Sequence, residues 1–181
     1  MPLAPTDICR LEKSVWSEAD FEKMGWHDVV VHALAFDTER HELLLDIDYI
    51  FAWVDPLPPS RYFSYWLSPS TLVFHDAWDL KFDYDSAFGL QLGGIVRREA
   101  RVRPHPHPEG KKEEWHWNLE GNEGELMFWA TGYSQFTRHL PMHHTGQSWS
   151  LSERGGVSFE KPKIPKPPNQ PLQPTAPSRR G

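Results

Sequence analysis

Most of the chain alternates in twos. In "ELLLDIDYIFAW" (residues 42–53), Leu43, Leu45, Ile47, Tyr49, Phe51 and Trp53 fall on one side. Leu44, Asp46, Asp48, Ile50 and Ala52 fall on the other, the period of a half-buried strand. "LVFHDAWDLKFDYD" (72–85) repeats the pattern, and "EEWHWNLEG" (113–121) and "GELMFWATG" (124–132) read as two further strands joined by the Gly-bearing turn "EGNEG". "DTER" (37–40) predicts a second hairpin loop between "VVVHALAF" and "HELLLDIDYIF". Only "SEADFEKMG" (17–25) carries helix marks, with Ser17 as N-cap, Asp20 three residues on and Gly25 as a stop. No βαβ rhythm appears, so a parallel sheet is not expected. The expected fold is mainly β: an antiparallel β-sandwich or curled β-roll of about eight strands with one short N-terminal helix.

The organisation that follows is an N-terminal extension (1–14), one β domain (15–160) and a tail (161–181). That tail, "KPKIPKPPNQPLQPTAPSRRG", has seven prolines in 21 residues and little to bury, so it is expected to stay disordered or polyproline-like. It also accounts for a hidden asymmetry of charge. The whole chain is −6, but the tail holds five basic and no acidic residues, leaving the first 160 with 14 Lys+Arg against 25 Asp+Glu. A body at −11 repels phosphate backbones, which argues against nucleic acid and for a basic protein partner. A single Cys, Cys9, leaves no internal disulfide and suits a reducing compartment. With no apolar run of about 20 residues and no signal-peptide pattern, the expectation is a cytoplasmic protein without a membrane span, a monomer or small homo-oligomer.

Candidate chemistry centres on two His-Asp dipeptides, His27-Asp28 and His75-Asp76, and on His32. Both dipeptides lie in strand-like segments, not on the helices that metal-dependent phosphohydrolases of that name use. Asp28 and His32 share a predicted strand face, as do Asp46 and Asp48 on the probable partner strand. The four form the only metal-dependent hydrolase site worth weighing. Against it, His32 reads as a core histidine, and Asp46 and Asp48 read as solvated residues opposite the apolar face, for which Arg138 and Arg154 are the pairing candidates. No G-x-S-x-G elbow appears, no carboxylate pair stands out, and Cys9 sits in an apparently peripheral N-terminus, so the chain leans away from an enzyme and implies no cofactor. His105 and His107 in "PHPHP", and the pair His143-His144, read as solvated.

The least ordinary stretch is "RYFSYWLSPSTLVF" (61–74), where both strand faces carry rings. One face must be core, and the other needs a cover. The candidate recognition surface is Trp53, Tyr62, Tyr65 and Trp66, and the competing reading is a strand buried on both sides. Gly155-Gly156 predicts a bulge or positive-φ turn before a closing strand "VSF".

Together "GWHDVVVHALAFD", "LLLDIDYIFAW", "YFSYWLSPSTLVFHDAWDLKFD", "ATGYSQFTR" and "ERGGVSF" resemble an uncharacterised family of small bacterial β-rich proteins over residues 21–160. In size and strand pattern that family is similar to the immunity-type proteins that neutralise polymorphic toxins. The resemblance implies a non-catalytic protein-binding module with an acidic, aromatic surface, and it brings no catalytic residues with it.

Overall fold

A computed structural model describes residues 9–85, 89–104 and 110–162. His105, His107 and all but the first two residues of the proline-rich tail lie outside the described residues. Ten strands form one antiparallel sheet: β1 (Val15–Ser17), β2 (Val29–Asp37), β3 (Glu42–Val54), β4 (Ser64–His75), β5 (Trp78–Tyr84), β6 (Leu90–Val102), β7 (Glu113–Gly121), β8 (Gly124–Ala130), β9 (Gly132–Thr137) and β10 (Met142–His144). Their spatial order is β1-β9-β4-β3-β2-β6-β7-β8-β5, with β10 on β4. The helix is a short 3-10 turn, Glu18–Lys23, capped by Ser17, whose N–H donates to the Asp20 carboxylate at 2.9 Å. Among the described residues no helix is long and apolar enough to cross a membrane.

The topology decides between sandwich and roll. β8 and β9 stand near opposite ends of the strand order, yet only Thr131 separates them. The sheet must therefore curl until its ends nearly meet. Gly132, at φ +146°, turns that corner where a Cβ would come within 3.0 Å of Lys111 Nζ. Inside the curl, Phe74 of β4 meets Phe128 of β8 and Trp117 of β7, with ring centroids 4.7 and 5.2 Å apart. All three rings are fully buried. The hairpins fall where expected: Asp37 closes the first by accepting N–H bonds from Glu39 and Arg40, and Asn122-Glu123 makes the second.

Two bulges change which residues share a face. In β2 the register with β3 passes from Val31↔Ile47 to Ala33↔Asp46, so His32 is an extra residue. Val29 and Val31 face the core before it and Leu34 packs there after it, so the side that Val30 and His32 share with Asp48 is not the side of Leu34 and Phe36. In β3 the pairing passes from Ile50↔Leu67 to Ala52↔Trp66, so Phe51 is extra and Trp53 leaves the Leu43–Tyr49 face.

The second face of β3 and β4 is covered by residues 149–160, through Trp149 on Tyr65 and Leu67, Arg154 and Ser158 on Asp46, and Glu160 on Thr71. "VSF" is not a strand but part of this irregular strap. Gly155 and Gly156, at φ +80° and +88°, turn it. The N-terminal extension is not peripheral at its inner end, because Cys9 packs on Val54 and Trp66. Burial pushes its thiol pKa up, away from reactivity.

Candidate functional site

Beneath the strap lies a buried ion cluster. Asp46 and Asp48, two apart on β3, point to the same side, and neither is exposed to solvent. The Arg154 guanidinium spans them: Nη1 and Nη2 reach the two Asp46 oxygens at 2.6 and 2.7 Å, and Nε reaches Asp48 at 3.1 Å. Arg138 donates to Asp46 at 2.6 Å and the Ser158 N–H at 2.9 Å. The remaining Asp48 oxygen receives the Trp149 N–H at 2.8 Å and lies 2.9 Å from His32 Nε2. Burial pushes the Asp46 carboxyl pKa up, but the hydrogen bonds from Arg154, Ser158 and Arg138 outweigh it and hold it below the ordinary value. For Arg154 burial favours the neutral form, and the Asp46 hydrogen bond with both carboxylate charges outweighs that and raises its pKa.

This corrects the reading of Asp46 and Asp48 as solvated residues. The alternating pattern gave them a face of their own, but an irregular segment near the chain's end, invisible to local periodicity, covers that face. It also shows where the four candidate metal ligands lie. His32 does meet Asp48, on the side that alternation from Val30 gives it, but a guanidinium sits between the two carboxylates and their lone pairs are committed. Asp28 stands apart, bonded to Gln147 Nε2 at 2.8 Å and His27 Nδ1 at 3.1 Å. Among the described residues no three His, Cys, Asp or Glu side chains converge as a metal-binding group.

The two His-Asp dipeptides share one structural role. Asp28 precedes β2 and Asp76 follows β4, at φ +63° and +54°, the left-handed region that aspartate tolerates because its short side chain bonds locally. Asp76 accepts from Thr131 Oγ1 at 2.9 Å and pairs with Arg103 at 3.0 Å. His75 continues a row across three strands, with Nε2 2.9 Å from Ser134 Oγ and Nδ1 3.3 Å from Glu42, whose carboxylate also binds Lys161. Trp26 plugs the roll beside Asp28, its Nε1 donating to Gln135 at 2.9 Å. Asp28→Ala is expected to lower stability by about 2 kcal/mol, combining a charged hydrogen bond with a left-handed backbone. Asp28→Asn, which tolerates that backbone, should lose clearly less. Thermal melts of both, with and without Zn²⁺ or Mn²⁺, check this; an ion-dependent rise abolished in Asp28→Ala would restore the metal reading.

The accessible feature lies where the β3–β4 connection leaves the sheet. Of the four proposed surface residues, Tyr65 and Trp66 are covered by the protein itself: Tyr65 by Ile50, Leu67 and Trp149, Trp66 by Cys9, Val54 and the His143 ring. β4 is thus buried on both sides, and these two residues offer no surface. Trp53 and Tyr62 do, at 39% and 83% exposure, together with Phe63 and Leu57. Trp53 packs edge-on against Phe63 and Tyr65, and on its other side meets His27. The aromatic wall therefore runs directly into the Asp28 turn, where Gln147, Gln91 and Asn122 form a chain of side-chain hydrogen bonds. Between Leu57, Tyr62 and Phe63 on one side and His143 and Thr145 on the other lies a groove of about 400 Å³. His143, read as solvated, lines it, with Nε2 2.8 Å from Ser64 Oγ. Nothing local in the sequence joins Asp28 to Gln147 or Ser64 to His143; only the tertiary fold does. Comparison with protein-family models, curated proteins and solved structures finds no match for this chain.

Proposed function

We propose that this protein is a protein-binding module that holds a basic partner against the aromatic end of the roll, in the manner of an immunity protein that neutralises a toxin by covering it. The observation that carries this reading is the exposure of Trp53, Leu57, Tyr62 and Phe63 side by side, since large rings left in water mark recognition surfaces. The charge of the body, −11 over the first 160 residues, favours a cationic partner and speeds its approach. The acids most deeply placed, Asp46 and Asp48, are spent on the protein's own arginines, which supports binding over catalysis as the role of the surface. The cytoplasm of a bacterium is the setting this reading assumes.

The test is affinity capture followed by reconstitution with the purified partner. The wild type should bind it saturably, with a rate of association that falls as salt rises. Tyr62→Ala with Phe63→Ala should weaken binding by about 30-fold or more, at about 1 kcal/mol or above for each lost ring. The melting temperature should barely move, since both rings are substantially exposed. A partner bound equally well by the double variant would overturn the assignment of this surface.

A further inference from the structure

We propose that the groove beside Tyr62 and Phe63 is a guanidinium site, which takes an arginine side chain of the partner as its anchor; this rests on the protein-binding reading above. The groove's lining is Asp55, Leu57, Ser60, Tyr62, Phe63, Ser64, His143 and Thr145. Its one carboxylate is that of Asp55, an exposed residue with neither a hydrogen bond nor an ion pair among the described residues. A carboxylate that lines one groove with two exposed aromatic side chains matches what an arginine presents. Its planar fork bonds a carboxylate through two N–H groups, and its flat surface stacks on a ring within about 6 Å.

The protein already uses this chemistry on itself. Arg101 lies 3.4 Å over the Trp129 ring while its Nε donates to Glu114 at 2.8 Å, and Arg97 lies 4.3 Å over Trp115 while pairing with Glu18. In both, a ring and a carboxylate hold one guanidinium from two directions. The groove is lined by the same two kinds of group, a carboxylate and aromatic rings, and by no arginine. Arg61, on the same loop, does not line the groove and makes no ion pair among the described residues. It is the nearest competitor in sequence for Asp55. Lysine fits less well, because an ammonium is a point charge that keeps its water and cannot stack.

The experiment uses the full chain and two capped peptides, acetyl-Gly-Arg-Gly-Arg-Gly-amide and its lysine counterpart, followed by amide chemical shifts. The arginine peptide should give saturable shifts confined to residues 53–64 and 143–145, with affinity about threefold or more above that of lysine. Asp55→Asn should weaken arginine binding by about fivefold, the scale of one partly exposed ion pair near 1 kcal/mol, and abolish the preference over lysine. Arg61→Ala should tighten it. Saturable binding elsewhere on the surface, equal affinity for the two peptides, or an Asp55→Asn variant that binds as the wild type would each overturn the proposal. The two inferences fail separately. If Asp55→Asn is without effect while Tyr62→Ala with Phe63→Ala still abolishes partner capture, the guanidinium site falls and the protein-binding surface stands. If the peptide binds through Asp55 but the captured partner ignores the groove, the reverse holds.

Discussion

Asp46→Asn will cost about 3–5 kcal/mol of folding stability, the range for breaking a buried ion pair by removing one partner. The substitution keeps the shape of the side chain and removes only the charge. Two buried guanidinium groups then face the single carboxylate of Asp48, and an amide N–H₂ points at one of the donors it should receive. Arg154→Met leaves the converse excess, two buried carboxylates answered by Arg138 alone, and should cost a similar amount. Combining Asp46→Asn with Arg154→Met should cost less than the sum of the two single losses, because each removes the charge excess the other leaves, while Arg138 and Asp48 stay buried and keep the recovery partial. Urea unfolding of the singles and the double measures the coupling; additive losses would mean the contacts contribute nothing jointly.

The acid limb follows from the same geometry. In the folded protein the Asp46 carboxyl titrates below its ordinary value of 3.8, so its contribution is complete above that value and is lost as pH falls through the folded one. Asp76 acts in the same sense: burial alone would raise its pKa, but Arg103 and Thr131 hold it down. His75 begins the decline earlier. Burial, ahead of the opposing pull of Glu42, lowers its pKa, so the unfolded chain takes up a proton near 6.5 before the folded one does. Stability should therefore be flat near neutrality, dip below pH 6.5 and fall steeply below pH 4.

What the chain's alternation could reveal was β2, β3, β7, β8 and the two hairpins, because periodicity and turn chemistry are local; β1, β6 and β10 went unread, and 72–85, read as one run, is broken at Asp76 into the end of β4 and β5. The face of each residue was harder to read. A bulge adds one residue and inverts everything after it, and nothing in "VVVHALAF" or "DYIFAW" marks His32 or Phe51 as the extra position. The status of Asp46 and Asp48 was out of reach for a different reason. Alternation says that a residue faces away from the core, but whether that side meets water depends on what folds across it. Here the cover is a strap around 100 residues further on, whose only sequence sign is an arginine before two glycines. Leu67, Pro69, Thr71 and Val73, on the second side of β4, offered a hint, since a side facing solvent would not be so uniformly poor in charge. The aromatic surface was half legible: Trp53 and Tyr62 are exposed as a recognition surface requires, while Tyr65 and Trp66, in the same run, are covered by Trp149, Cys9 and His143 from distant parts of the chain.

Phe74→Ala is expected to cost about 3–5 kcal/mol, through lost transfer free energy and the cavity that remains. Phe74 is the ring where the curl closes. It sits on β4, but its partners are Trp117 on β7, Phe128 on β8 and, 6.3 Å away, Tyr133 on β9. Those strands are remote from β4 in the sheet order on one side and adjacent on the other, so the ring bridges the interior. Collapse into the space would require the arms of the roll to approach, and the single-residue link at Thr131 already fixes their separation. Phe82→Ala, on edge strand β5 with 60% of the residue exposed, removes the same atoms from near solvent and should cost less than about 1 kcal/mol. The contrast between the two, read from urea midpoints at matched slopes, tests the curled architecture directly. In a flat open sheet Phe74 would face water or a loose neighbour, and its loss would fall within about 1 kcal/mol of that for Phe82.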